Sequence, residues 1–156
     1  MTGTDKPEAG CIFCGALSRG EAEPLVLHIG EMCFVILNLY PYNNGHLMVV
    51  PKWHVGTLGA ATSEELCELA LLTQRAELAL TEAYMPHGLN VGINLGRPAG
   101  AGVLDHLHVH VVPRWNGDTN FMSVVGNVRV LPEELPQASA KLRPIFARLA
   151  ATAHSR

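Results

Sequence analysis

The most regular alternation of polar and apolar residues runs from Asp105 to Val112, where single apolar residues separate three histidines. In an extended strand, side chains two positions apart lie on the same face, so the pattern predicts a strand with His106, His108 and His110 on one face. Their apolar neighbours would then face a core. A helix would spread the histidines around its axis, and β-branched valines favour the strand.

Apolar runs predict the other strands. Residues 31–38 and 46–51 indicate two strands joined by a turn that contains proline, asparagine and glycine, which is typical of an antiparallel hairpin. Residues 89–95 predict a third strand, and residues 123–130 predict an edge strand. Together with the histidine strand, these segments predict an α+β fold with an antiparallel sheet of about five strands.

A long helix is predicted to begin at Thr62, because Thr62 can cap it and Glu65 can reach back to complete a capping box. Pro86 and Gly88 mark its end. Cys67 lies within the helix and is expected to be a small buried residue. The positions expected to face the core are Leu66, Leu69, Ala70, Thr73, Ala76, Leu80, Ala83 and Tyr84.

The length of 156 residues indicates one domain, at residues 11–156. A loose polar tail at residues 1–10 precedes it. The alanine- and leucine-rich residues 132–153 predict a C-terminal helical segment, in which Pro136 and Pro144 should break or kink the helix.

The charge and the composition limit the classes of partner and the compartment that we expect for this protein. The formal net charge of −3 gives no basic surface for polymeric nucleic acid, although a local site can still bind a small phosphate ligand. The tail lacks the apolar core of a signal peptide, and no apolar run has the length that a membrane span needs. The four cysteines are too few for a secreted disulfide scaffold, so we expect a cytoplasmic protein.

Two stretches carry candidate chemistry. Imidazoles can act as nucleophile, proton donor or metal ligand, so three histidines on one face indicate a site. Cys11 and Cys14 form a C-x-x-C pair, which is half of a zinc site, a redox pair or a chance spacing. The glycine-rich loop at residues 96–102 either lets backbone amides approach an anion or is a flexible hairpin connection.

These motifs resemble the histidine triad family of nucleotide-binding proteins, whose hallmark is His-φ-His-φ-His-φ-φ with φ apolar. Residues His106–Val112 match it in full, and Cys11–Cys14, the hairpin Asn38–Pro51 and the segment Pro51–His54 fit the family in order and spacing. The hairpin residues Leu37–His46 and the segment Pro113–Phe121 look most like the bacterial branch that contains diadenosine tetraphosphate phosphorylases. The resemblance implies a domain of the histidine triad type.

The resemblance also implies a reaction. His108 would attack the α-phosphorus of a nucleotide and carry the nucleotidyl group until water or phosphate releases it. His110 would donate to a phosphate oxygen, and His46 would support the pair. Ile12, Phe13, Ile36 and Leu39 would wall the base, Asn38 would hold the ribose, and Asn94 with the loop residues Ala101 and Gly102 would hold phosphate. Without the family, a plain core is the favoured interpretation of Ile36 and Leu39.

In some family members, a zinc ion is held by positions that correspond here to Cys11, Cys14, His54 and His106. This closed Cys₂His₂ set would be structural, and it would leave His108 free to react. The resemblance further implies a homodimer and no organic cofactor.

One departure from the family lies just before the triad, where a polar Gln-Ser pair is replaced by Ala101, Gly102 and Val103. Leaving-group assistance would then come from backbone amides or from elsewhere in the chain, and the choice between water and phosphate stays open. Two other functions also stay open. One is a histidine triad nucleotide-binding module or phosphoramidase with little polyphosphate turnover, and the other is a hydrolase whose three histidines share a catalytic metal.

Overall fold

The structure is a computed structural model that describes residues 10–118 and 133–152. In these residues, a single antiparallel sheet organises the fold. The strands are β1 (Val26–Ile29), β2 (Cys33–Leu37), β3 (Leu47–Pro51), β4 (Gly88–Ile93) and β5 (Val109–Arg114), in the order β1-β2-β3-β5-β4. The helices are α1 (Ile12–Arg19), α2 (Ser63–Tyr84) and α3 (Leu135–Thr152). This architecture confirms the α+β class and the five-stranded sheet.

The two faces of the sheet bury different sets of side chains. The face toward α2 and α3 carries Leu107, Val109 and Val111 in the main apolar core, as the alternation predicted. The opposite face carries a smaller apolar cluster that includes Phe13 of α1. Because β3 pairs with β5 and places Met48 opposite His110, the face that carries the smaller cluster also carries the histidines.

The histidine strand is shorter than predicted, because it begins at Val109 and leaves His106 and His108 ahead of it. The backbone amide of Leu107 donates to the carbonyl of Val55 at 2.6 Å, so this part of the chain bonds to a loop instead of a strand. The side chains nevertheless keep the predicted alternation.

The capping box of α2 is confirmed, since Thr62 accepts from the Glu65 amide and Glu65 accepts from the Thr62 amide. The predicted buried face is confirmed at Leu69, Ala76 and Leu80. Thr73, Ala83 and Tyr84 are half-buried, and the last two pack against the main core. The prediction is wrong at Leu66, Ala70 and Cys67, which are exposed because the buried stripe of the helix passes beside them. That stripe comprises Glu65, Leu69, Leu72, Ala76, Ala79 and Leu80.

Helix α3 runs unbroken through Pro144, so the predicted break is wrong. Pro144 and Ala140, whose carbonyl loses its helical partner, both lie on the exposed side, where water can solvate that carbonyl. Leu142 and Phe146 anchor the helix in the core. Pro136 lies in the first turn, where backbone amides have no helical partner.

Two short elements were not predicted, namely α1 and β1. The fifth strand of the sheet is β1, which pairs with β2. The predicted edge strand at residues 123–130 lies outside the described residues, as does almost all of the predicted tail, and both stay predictions. Among the described helices, none combines the length and apolarity needed to cross a membrane.

Candidate active site and metal centre

A row of aromatic rings lies on the sheet face that α1 covers. Phe13 packs 5.3 Å from His106 and 5.0 Å from His108, measured between ring centroids. His108 lies 4.8 Å from His110, and His110 lies 5.2 Å from His46, which immediately precedes β3. His46, His106 and His108 are buried, and His110 is half-buried. The three predicted catalytic histidines are therefore brought together.

His108 has a defined proton position. Its Nδ1 lies 2.8 Å from the backbone carbonyl oxygen of His106. Because a carbonyl can only accept, Nδ1 carries the proton and Nε2 keeps its lone pair. Burial also lowers the pKa of His108 below its ordinary value, which favours the neutral ring. A neutral imidazole with a free Nε2 is a nucleophile.

His46 and His110 form a proton-ordered pair. The backbone amide of Tyr42 donates to His46 Nδ1 at 3.1 Å, so His46 carries its proton on Nε2. That Nε2 lies 3.0 Å from His110 Nδ1 and donates to it, which leaves the His110 proton on Nε2. Burial, followed by the charges of His110 and His108, lowers the pKa of His46 to about 4. The pair can thus present one N–H donor while it remains neutral.

The turn that places His46 is tied to the far end of β5. The carbonyl of Asn43 accepts from the His46 amide at 3.2 Å. The Asn43 side-chain amide donates to the Pro113 carbonyl at 2.9 Å and to Asp118 Oδ2 at 2.8 Å. Arg114 binds both oxygens of Asp118, and its guanidinium holds the pKa of that carboxyl well below its usual range.

A second cluster gathers four possible metal ligands. The ligand atoms of Cys11, Cys14, His54 and His106 all lie within 4.8 Å of one another. Nδ1 of His106 is 3.3 Å from Cys11 Sγ and 3.6 Å from Cys14 Sγ, and Nδ1 of His54 is 3.4 Å from Cys14 Sγ. A tetrahedron of Zn–N and Zn–S bonds has edges of about 3.3–3.8 Å, so this donor set fits zinc.

The orientation of His106 supports the same conclusion. Its Nε2 lies 2.8 Å from the backbone carbonyl of Pro51 and donates to it. The lone pair is therefore on Nδ1, the atom that faces the two sulfurs. His106 contributes to this cluster through Nδ1, whereas His108 and His110 have other partners.

A protein-family model described as the HIT domain matches residues 19–117, which is more than half of the chain. The chain belongs to the HIT family. The predicted resemblance to the histidine triad family is thereby confirmed.

Curated and solved HIT proteins resemble this chain over most of its length. An AP-4-A phosphorylase of Mycobacterium tuberculosis is 46% identical over 128 residues, which are 82% of this chain and 66% of that protein. This HIT chain thus spans just under two thirds of the length of that relative. These similarities support the Ap4A phosphorylase-like branch.

Two solved structures share the fold at 30% identity. A Zn-bound histidine triad family protein from Mycobacterium smegmatis has a TM-score of 0.73 and covers 92% of this chain and 97% of its own. A hypothetical histidine triad nucleotide-binding protein from Sulfolobus tokodaii strain7 has a TM-score of 0.75 and covers 93% and 97%.

The residues expected to contact a nucleoside differ in exposure. Phe13 and Ile36 are buried in the smaller apolar cluster of this HIT domain. Ile12 and Leu39 are 61% and 55% exposed, which is unlike a plain core. Asn38 accepts from the Tyr40 amide at 2.9 Å, and its Nδ2 lies 3.4 Å from His46 Nε2. Asn38 therefore lies beside the histidine pair.

The residues expected to contact phosphate lie at and beyond the end of β4. The Asn94 side chain reaches the Gly100 carbonyl at a long 3.4 Å. The amide of Ala101 donates within the loop to the Gly96 carbonyl at 3.3 Å, and Gly102 is exposed. Val103 packs against the smaller apolar cluster, so the loop returns to the face that carries the histidines.

The sequence did not reveal the groups of the HIT site that fix the histidine tautomers and hold the turn between β2 and β3 in place. Tyr42 acts through its backbone amide, which no side-chain pattern reveals. Arg114 and Asp118 are four residues apart at the end of the motif, and this spacing of opposite charges was a usable signal. Their partner Asn43 lies 75 positions from Asp118 and gives no such signal.

Proposed function

We propose that this HIT protein cleaves dinucleoside polyphosphates through a nucleotidyl group carried on His108. The observation that carries this proposal is the hydrogen bond from His108 Nδ1 to the His106 carbonyl, which leaves Nε2 with a lone pair beside His110. The likeness to a protein named as an AP-4-A phosphorylase supports the substrate class.

The proposed reaction has two displacements. Nε2 of His108 bonds to the α-phosphorus, the bond from phosphorus to the bridging oxygen breaks, and the rest of the phosphate chain leaves with that electron pair. His110 Nε2–H, held by His46, donates to a non-bridging oxygen as negative charge develops. An oxygen of phosphate or water then bonds to phosphorus, and the N–P pair returns to His108.

The proposed substrate contacts are those of the corresponding positions in the family. We propose that Ile12, Phe13, Ile36 and Leu39 wall one base, and that Asn38 holds its ribose. Asn94 and the backbone of Ala101 and Gly102 would then bind phosphate. Because Ala101, Gly102 and Val103 supply no polar side chain, water and phosphate remain alternative acceptors.

We also propose a structural zinc ion on Cys11, Cys14, His54 and His106. The donor spacing supports zinc, and a HIT relative is described as Zn-bound. The bound ion would fasten the start of α1 to the segment before β5. Four protein ligands leave no open position for substrate, so the reaction proposed above uses the chain's own side chains.

A catalytic metal shared by all three triad histidines is disfavoured by their partners. His106 faces Cys11 and Cys14, His108 Nδ1 faces a carbonyl, and His110 Nδ1 faces His46. The second nitrogen of His106, Nε2, donates to the Pro51 carbonyl, so His106 has no atom left for a metal shared with His108 and His110. A hydrolase of that kind would need a ligand atom from each of the three histidines.

We propose a cytoplasmic homodimer. The thiol ligands need a reducing compartment, which favours the cytoplasm.

The dimer would use the edge of the sheet. Strand β4 is the last strand in the described sheet, and Val91 on it is 53% exposed. Leu71 and Leu78 on α2 are about half exposed as well, so a second copy would cover apolar surface. Light scattering should give twice the 16.8 kDa chain mass, and the mass of a single chain would contradict the dimer.

The decisive experiment is product analysis with diadenosine tetraphosphate, with and without inorganic phosphate. Phosphorolysis gives adenosine diphosphate and triphosphate only when phosphate is present, whereas hydrolysis at the α-phosphorus gives adenosine monophosphate and triphosphate. Because a phosphoramidate bond is labile in acid, an alkaline quench followed by mass spectrometry should detect a nucleotidyl group on His108.

His108→Ala should abolish turnover and leave nucleotide binding largely intact, because it removes only the nucleophile. Near-normal rates in this variant would overturn the covalent route. Binding without mononucleotide products in the wild-type protein would instead indicate a nucleotide-binding module.

A further inference from the structure

Two of the three tyrosines project from the turn between β2 and β3. Tyr40 is 82% exposed and Tyr42 is 80% exposed. Tyr84, by contrast, is half-buried and donates its hydroxyl to Glu133. Exposed aromatic rings next to a candidate active site are available to a ligand, because they offer broad apolar faces at low conformational cost.

Tyr42 differs from Tyr40 because its ring extends the row of histidines. It stacks on His46 with centroids 5.2 Å apart and planes inclined by 13°. The steps from His46 to His110 and from His110 to His108 are 5.2 and 4.8 Å, so the Tyr42 ring lies within about 15 Å of the His108 ring. One face of Tyr42 packs on His46, and its exposure leaves the other face to solvent.

The part of the row that holds His108, His110 and His46 is therefore flanked by an aromatic ring on each side, the buried Phe13 and the exposed Tyr42. Phe13 contacts His108, and Tyr42 contacts His46, with His110 between the two histidines. Between Phe13 and Tyr42 lie a nucleophilic imidazole and an imidazole N–H donor, which suit phosphates. A ligand with two bases joined by a phosphate chain has the same order of chemical groups.

We propose that Tyr42 is the stacking platform for the second nucleoside of a dinucleoside polyphosphate, which departs with the leaving group. This inference rests on the proposed function, in which the first nucleoside lies beside Phe13. The backbone amide of Tyr42 donates to His46 at 3.1 Å and fixes the ring next to the catalytic pair. Three phosphates and a ribose are long enough to reach from His108 to this ring.

The experiment compares two substrates that differ only in the second nucleoside, diadenosine tetraphosphate and adenosine 5′-tetraphosphate. Tyr42→Ala removes the ring but keeps the backbone amide that orders His46. Loss of one base-stacking contact should raise the KM for diadenosine tetraphosphate about tenfold. The KM of adenosine 5′-tetraphosphate, or its inhibition constant where it is not turned over, should stay within about twofold.

Two control variants complete the set. Tyr42→Phe keeps the aromatic ring and should behave like the wild-type protein. Tyr40→Ala removes an equally exposed tyrosine of the same turn and should leave both substrates unaffected.

Three outcomes would overturn the proposal. Tyr42→Ala could change neither substrate, it could impair both equally because the ring serves His46 alone, or Tyr40→Ala could have the same effect. If the wild-type protein turns over neither substrate, the proposed function fails. Calorimetric binding of the same two nucleotides then still tests the platform, because only the dinucleotide should lose affinity in Tyr42→Ala.

Discussion

Backbone groups decide where the protons lie at the candidate site. The His106 carbonyl orients His108, and the Tyr42 amide orients His46 and through it His110. Because both are main-chain groups, a side-chain substitution does not remove either of them. The backbone of the fold therefore fixes the tautomers of the three rings, and a further titrating side chain does not.

Acidification should destabilise the protein through His46, and His46→Gln should reduce that effect. The folded-state pKa of His46 is about 4, below the value of 6.5 expected in the unfolded chain. Below pH 6.5 the unfolded state binds the proton while the folded state does not, so stability falls as the pH drops from 6.5 toward 4. Between pH 7.5 and 5.0, this difference costs about 2 kcal/mol.

Urea unfolding of both proteins at pH 7.5 and 5.0 measures this prediction. Glutamine keeps a side-chain N–H donor toward His110 and removes the titration. The quantity compared is the loss between the two pH values, so a uniform change in stability cancels. An equal loss in the two proteins would show that His46 does not hold the lowered pKa.

At the scale of elements, the turn between β2 and β3 joins distant parts of the chain. Asn43 binds Asp118, and its neighbour Asn44 accepts from the Glu133 amide at 2.8 Å. The two asparagines thus hold the residues that flank the undescribed segment 119–132. Only Asn43 bonds to the end of β5 and shares a backbone hydrogen bond with His46.

Asn43→Ala should therefore lower kcat more than it changes KM, because His46 would be less well placed against His110. The variant also loses two side-chain hydrogen bonds, one of them to a charged group, which should cost about 2 kcal/mol of stability. Asn44→Ala is the matched control. It loses one hydrogen bond, to the Glu133 amide, so it should lose about 1 kcal/mol of stability and keep kcat. A fall in kcat as large as that of Asn43→Ala would contradict the positioning role.

Local signals explain which elements the sequence predicted. The hairpin, the capped start of α2 and the histidine alternation each follow from residues that are neighbours in the chain. Helix α1 and strand β1 are eight and four residues long, too short for a periodic pattern to stand out. The exposure of Cys67 depends on which stripe of α2 meets the sheet, and only packing decides that.

The candidate site was predictable to the extent that a motif carries it. His46, His108, His110 and the Cys₂His₂ set were found from spacing and family likeness, and the structure brings each group together. The bond between Asn43 and Asp118 joins positions 75 residues apart and depends on the register of β3 and β5. No local pattern contains that information.

At the scale of the whole molecule, the Cys₂His₂ cluster joins segments that are far apart in sequence. Cys11 and Cys14 belong to the start of α1, His54 follows β3, and His106 precedes β5. The same helix carries Phe13, which packs on His106 and His108. A metal ion at the cluster would thus hold one wall of the candidate site against the sheet.

Zinc removal should consequently lower the thermal midpoint without acting on the chemical step. Purified protein should contain one zinc per chain by elemental analysis, and Cys14→Ser should lose the metal and melt about 10 °C or more below the wild-type protein. Cys67→Ser, at an exposed cysteine outside the cluster, should keep both the metal and the midpoint. Well below the melting range, chelated protein that is still folded should retain turnover, because the proposed attack uses His108 Nε2 and not a metal. Complete loss of turnover in a chelated protein with an unchanged fold would instead place the metal in the reaction.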